Sequence, residues 1–173
     1  GGTNPTFVNV IDYVSIASAG TAADFGDFLS GTLIAYRAAA SSSTRGIFSN
    51  GWVNGSSNTN AIEYVQISTT GNGVDFGDMS VARRETASAA NTTRGVIAGG
   101  TGPLTDIIEY VVMSSQGGAN DFGNLSSTRR AFSGSGNDTR GLFFGGNNPS
   151  RTSIIEFINF AHTGNSIEFG RLG

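Results

Sequence analysis

The chain repeats itself. The segments "VIDYVSI", "AIEYVQI", "IIEYVVM" and "IIEFINF" place an aligned isoleucine at 11, 62, 108 and 155, so a unit recurs at intervals of 51, 46 and 47 residues. "ADFGDF", "VDFGDM", "NDFGNL" and "IEFGRL" follow each of them at a matched distance. A Thr-Arg-Gly segment occurs three times, as "TRGIFSNG", "TRGVIAGG" and "TRGLFFGG", each after a stretch of mostly small residues, "YRAAASSS", "RRETASAANT" and "RRAFSGSGND". A period of about 40 to 50 residues belongs to propellers and solenoids.

The pattern inside a unit is that of strands. From Ile62 to Ile67 β-branched and aromatic residues dominate and alternate with polar ones, as a strand with one buried face requires. No segment keeps apolar residues at helical spacing. Clusters of Gly, Ser, Thr and Asn, such as Ser115 to Asn120, separate the strands and supply turn conformations. The expectation is an all-β domain of four short antiparallel strands per unit, with units at about 1–29, 30–79, 80–125 and 126–173. The first unit lacks its first two strands.

Composition narrows the function classes. The length of 173 residues suffices for one domain with a core. Charged residues make up 13% and the net charge is −3, which gives no electrostatic footprint for nucleic acid. No apolar run approaches the roughly 20 residues of a helical membrane span. With no cysteine and a single histidine, His162, no metal site or cofactor is expected. The start at "GGTNPTF", without methionine, reads as a piece processed or excised from something longer.

These segments resemble kelch repeats. Gly99-Gly100 and Gly145-Gly146 match the kelch double glycine, Tyr64 and Tyr110 its tyrosine, and Arg84 and Arg130 the arginine opening its innermost strand. Phe76, Phe122 and Phe169 stand where kelch has Trp, and Asn50-Gly51 replaces one glycine pair. The resemblance implies a β-propeller of four-stranded blades around an axis. The small residues Ala38-Ala39-Ala40 and Ser133-Gly134-Ser135 suit innermost strands that converge. Val96, Ile97, Phe143, Phe144, Val112 and Ile158 are then expected to fill the space between blades, each contributing roughly 1.5 to 3 kcal/mol on burial.

Recurrent charges read as framework. Asp12, Glu63, Glu109 and Glu156 recur beside the aligned isoleucine, and Arg45, Arg94 and Arg140 recur in the Thr-Arg-Gly segment, so Arg-carboxylate pairs within or between blades are expected. The triplet Asp-Phe-Gly occurs three times without nucleotide-loop or catalytic-loop partners, which removes a kinase reading. Arg37, Arg84 and Arg130 recur in register and are read as packing rather than as an arginine triad.

The candidate ligand site lies where the repeat is broken. An apolar insertion, "LSGTLIAY", precedes Arg37, and a longer connection after Gly51 carries Trp52, the sole tryptophan. Trp52, Tyr36, Asn54 and Asn58, with Asn60, resemble a sugar-binding surface of aromatic faces and amides; the plainer alternative is a tryptophan covering a blade edge. His162 is placed on a loop and given no role. Asn54, Asn91, Asn124 and Asn137 lie in N-glycosylation sequons.

Low-charge, Gly/Ser/Thr/Asn-rich arrays of this type resemble those of phage virion and tail-fibre proteins, which implies a non-enzymatic structural or adhesion module on an extracellular or virion surface, with a cell-surface glycan as ligand. Self-association is the expected partnership, since a neighbouring chain can complete the first blade by β-augmentation. The competing readings are a kelch-type protein-interaction scaffold and, behind it, a propeller glycosidase or oxidase. An oxidase of the galactose-oxidase type needs Cys and His ligands that this chain lacks.

Overall fold

The computed structural model describes residues 2–3, 7–29 and 34–173, with side chains for 8–29 and 34–173. Every regular element among them is a strand. Two hairpins come first: β1 (Gly2–Thr3) with β2 (Phe7–Val8), and β3 (Val10–Tyr13) with β4 (Ala23–Asp27). After β5 (Ile34–Ala35), the second sheet runs β6 (Ala38–Ser41), β7 (Arg45–Val53), β8 (Ser57–Gln66), β9 (Val74–Asp78), with β5 added beside the far end of β7. The third is β10 (Ala87–Ala90), β11 (Arg94–Ala98), β12 (Ile107–Val112), β13 (Asn120–Asn124). The fourth is β14 (Ser133–Gly136), β15 (Arg140–Phe144), β16 (Ile154–Asn159), β17 (Ile167–Arg171).

All sheets are antiparallel meanders, and the repeat is kept to the residue. The last hairpin of every unit carries the same bulge, directly after Ile11, Ile62, Ile108 and Ile155. The turn entering β11 is closed by Asn91, whose Oδ1 accepts from the amides of Thr93 (2.9 Å) and Arg94 (2.8 Å); Asn137 does the same for Thr139 and Arg140. Such side-chain turns are a usual task of Asn. They fix the start of the strand and hence the aim of its arginine.

Successive sheets bury faces against each other. Ala38, Ile47, Ile62, Phe76 and Met79 of the second sheet form one core with Ile97, Val111 and Met113 of the third. Val96, Ala98, Ile108 and Phe122 of the third form the next with Phe143, Ile158 and Phe160 of the fourth. Adjacent residues Val96 and Ile97 thus serve opposite cores, because strand side chains alternate. The same alternation corrects one expectation: Val111 is buried and Val112 is 40% exposed, since only one of two neighbours can face the core. Strands β6, β10 and β14 lie side by side, which their Ala, Ser and Gly residues permit.

The recurrent acids are framework, but their partners are not Arg45, Arg94 and Arg140. Glu63 pairs with Arg37 (3.1 Å), Glu109 with Arg83 (2.7 Å) and Glu156 with Arg129, all buried inside one sheet. Each glutamate also holds the chain where it leaves the preceding sheet, accepting from the amide of Leu29 (2.7 Å), Ser80 (2.9 Å) or Ser126 (2.8 Å). Burial pulls the three guanidinium pKa values down, Arg129 to about 10, and the facing carboxylate opposes this at Arg37 and Arg83. All three remain charged at neutral pH. Asp12 is exposed.

Arg45, Arg94 and Arg140 instead lie over aromatic rings, with Cζ 4.7 Å from Tyr64, 4.6 Å from Tyr110 and 4.6 Å from Phe157. Arg45 then donates to the Met113 carbonyl (2.9 Å) and Arg94 to that of Phe160, each in the following sheet. The ring holds the guanidinium flat while its edge crosses the junction. The register of Arg84 and Arg130 with Arg37 is likewise revised: the buried equivalents of Arg37 are Arg83 and Arg129, and Arg84 and Arg130 stand outside the framework.

Asp-Phe-Gly is a docking device. The carbonyl of its Phe accepts from a glycine amide in the next unit's last loop: Phe25 from Gly71 (2.8 Å), Phe76 from Gly117 (2.7 Å), Phe122 from Gly164 (2.6 Å). A second bond follows two residues on, Asp27 from Gly73 (2.7 Å), Asp78 from Ala119 (2.8 Å), Asn124 from Ser166 (2.9 Å). The glycine of the triplet is required here. At Gly77, φ is +142° and a Cβ would stand 2.4 Å from the Gly117 carbonyl oxygen.

Candidate functional site

With the recurrent side chains committed to pairs within sheets and contacts between them, Tyr36, Trp52, Arg84, Glu85 and Arg130 collect at one rim. Tyr36, Glu85 and Ala131 precede β6, β10 and β14 by two residues and share a left-handed turn conformation, with φ of 58°, 57° and 52°. Their backbones are strung together: the Glu85 amide donates to the Tyr36 carbonyl (3.3 Å) and the Ala131 amide to that of Glu85 (2.9 Å). The rim therefore presents one side chain per sheet.

Trp52 enters from the lengthened β7–β8 hairpin, whose tip turns at Asn54 and Gly55 (φ 48° and 70°). Positive φ at both residues is the signature of a hairpin turn that matches strand twist, and Asn-Gly is its preferred pair. Asn54 sits exposed at that tip. Within "LSGTLIAY", Ile34 and Ala35 form β5 and pair with this hairpin at Val53 and Trp52; residues 30–33 lie outside the described ones.

The indole of Trp52 is half-buried and one face is taken: the Arg84 guanidinium carbon lies 4.9 Å from its ring. Arg84 Nη1 donates to Asn58 Oδ1 (2.9 Å), while Asn58 Nδ2 donates to the Gly102 carbonyl (3.1 Å), so both ends of that amide are engaged. Asn60 is tied to the Met79 carbonyl (3.2 Å). Glu85 bridges two arginines, Arg84 Nε at 3.5 Å and Arg130 Nη1 at 2.8 Å.

The structure thus brings Tyr36, Trp52 and Asn58 together and sets Asn54 on the turn beyond them. Tyr36, 52% exposed and 6.1 Å from Trp52 between ring centroids, is the more open aromatic face. Sequence reasoning passed over Arg84, Glu85 and Arg130 as members of the rim. The signal that could have found them is the break of register at Glu85, an acid where the neighbouring units carry Tyr36 and Ala131. Such a rim can stack on a flat apolar face and exchange hydrogen bonds at its edge through a fixed carboxylate flanked by two guanidinium groups. His162 lies on the exposed loop after β16, its amide bonded to the Asn159 carbonyl (3.3 Å). Compared with known proteins, the chain matches no family model and no curated sequence.

Proposed function

We propose that the chain is a non-enzymatic structural and adhesion module of an extracellular assembly, of the phage virion or tail-fibre kind, and that its sheets are blades of a kelch-like β-propeller. The observation carrying this reading is the division of labour among side chains. Recurrent charges and glycines are used within sheets and in joining them, and variable polar and aromatic groups gather at the Tyr36–Trp52–Arg84–Glu85 rim.

The ligand class this rim suits is a glycan, whose ring stacks on an aromatic face while its hydroxyls bond to charged and amide groups. Glycan-array binding of the wild type, Tyr36→Ala and Glu85→Gln tests it. Specific retention by the wild type, lost in both variants, is expected; a wild type that retains no glycan, or variants that bind unchanged, removes the rim as a sugar site. A protein-interaction scaffold is the second reading, favoured by the Arg84–Glu85–Arg130 charge alternation, which a peptide of complementary charge could match.

A further inference from the structure

The device that joins sheets inside the chain is present, unmatched, in two halves at its ends. On the last sheet, Phe169-Gly170 is the counterpart of Phe76-Gly77 and Phe122-Gly123, but Gly170 has nothing within 4 Å of where a Cβ would stand. Phe169 is 57% exposed, whereas Phe76 and Phe122 are 2% exposed. Arg140, stacked on Phe157 as Arg45 and Arg94 are on their rings, is exposed, and among the described residues no further sheet lies against it.

The β3–β4 hairpin carries the other half. Gly20 stands five residues before Phe25, the same spacing that places Gly71, Gly117 and Gly164 before Phe76, Phe122 and Phe169. Gly20 is exposed. Ile16 corresponds to Met113 and Phe160, the residues whose carbonyls receive Arg45 and Arg94 and whose side chains are buried at the junctions. Ile16 is fully exposed.

We propose that the outer face of the last sheet docks the β3–β4 hairpin of a second copy of this chain, in the register that joins sheets within one copy. The Gly20 amide of one copy donates to the Phe169 carbonyl of the other, the Ala22 amide to the Arg171 carbonyl, and Arg140 donates to the Ile16 carbonyl. Ile16 packs beside Leu142 as Met113 does in the core containing Ile47. The two faces differ, so the contact is heterologous and repeats head to tail, giving a ring if the rotation closes and a filament if it does not. The inference rests on reading the chain as an assembly module and adds the face and the register.

Light scattering after size exclusion, with negative-stain microscopy, tests it on the full chain. The wild type is expected to assemble with rising concentration. Gly170→Val, which meets no neighbour within its own copy, and Gly20→Pro, which removes the donor amide on an exposed loop, are each expected to stay monomeric with an unchanged unfolding midpoint. Gly20→Ala keeps the amide and is expected to assemble, since the docked counterpart Gly71 also has room for a Cβ. Mixing the two monomeric variants leaves one intact junction per pair, so the mixture should form dimers of twice 17.8 kDa and nothing longer. A wild type that stays monomeric up to about 1 mM overturns the stacking. Wild-type assembly that survives Gly170→Val and Gly20→Pro, or a mixture that yields no dimer, overturns this register while leaving an assembly role and the glycan rim standing.

Discussion

The junction between the second and third sheets and the outer face of the last sheet are built from the same sequence pattern, yet they are different physical objects. At the junction, Phe76 and Met79 are 2% exposed; at the end face, Phe169 and Leu172 in the same positions are 57% and 49% exposed. Gly77 holds a φ of +142° with a carbonyl against it, and Gly170 has open space. Identical residue types therefore carry stability in one place and accessibility in the other. What separates them is the presence of a following unit.

The comparison breaks most visibly at the glycines. Gly77→Val puts a side chain into a backbone carbonyl that cannot move away, so it is expected to cost at least about 3 kcal/mol, against no measurable loss for Gly170→Val. Urea midpoints of the two variants decide it; equal losses would mean that the triplet glycine serves its own sheet and not the junction.

The acids give the next contrast. Glu109→Ala leaves Arg83 buried without its counter-charge and strips the acceptor from the Ser80 amide, a loss of about 3 to 5 kcal/mol. Asp12→Ala, at the equivalent but exposed position, is expected to stay within about 0.5 kcal/mol of wild type. Thermal unfolding of the pair measures the difference. A large loss for Asp12→Ala would show that the β3–β4 hairpin is as tightly held as the complete sheets.

The stacked arginines sharpen it further. Arg94→Ala removes both the ring contact with Tyr110 and the bond to the Phe160 carbonyl, worth about 2 kcal/mol together. Arg140→Ala removes only the ring contact with Phe157, about 0.5 to 1 kcal/mol at an exposed site. Denaturant titration of each at a concentration where the wild type is monomeric isolates the crossing bond. A loss of similar size, about 1 kcal/mol by the same titration, is expected at Asn137→Ala, where the lost turn bonds to Thr139 and Arg140 are exposed.

Much of the fold was legible because strand formation and repetition are local. The period and the strand alternation follow from residues read along the chain, and so does Asn50 in place of a glycine, since its φ of 49° suits Asn. The candidate rim was legible only in part. Trp52, Tyr36 and Asn58 stand out as breaks in the repeat, whereas Arg84 recurs in register with Arg37 and Arg130 and so reads as packing, a place that its neighbour Arg83 takes instead. Adjacent residues of an extended segment point opposite ways, and the direction is set by what lies across the junction.

By itself, then, the sequence determined an array of near-identical antiparallel sheets, since each unit holds its own turn residues, bulge position and alternating faces. Only the tertiary structure decided which arginine answers which glutamate. Arg37 follows the left-handed Tyr36 by one residue, while Arg83 and Arg129 precede Glu85 and Ala131 by two, and all three guanidinium groups reach the same kind of carboxylate. A long flexible side chain can arrive at one buried charge from different points on the backbone, so spacing along the chain does not define the pair. The meaning of Asp-Phe-Gly was decided the same way: its glycine answers to a carbonyl some 40 residues further along, brought there by the stacking of sheets.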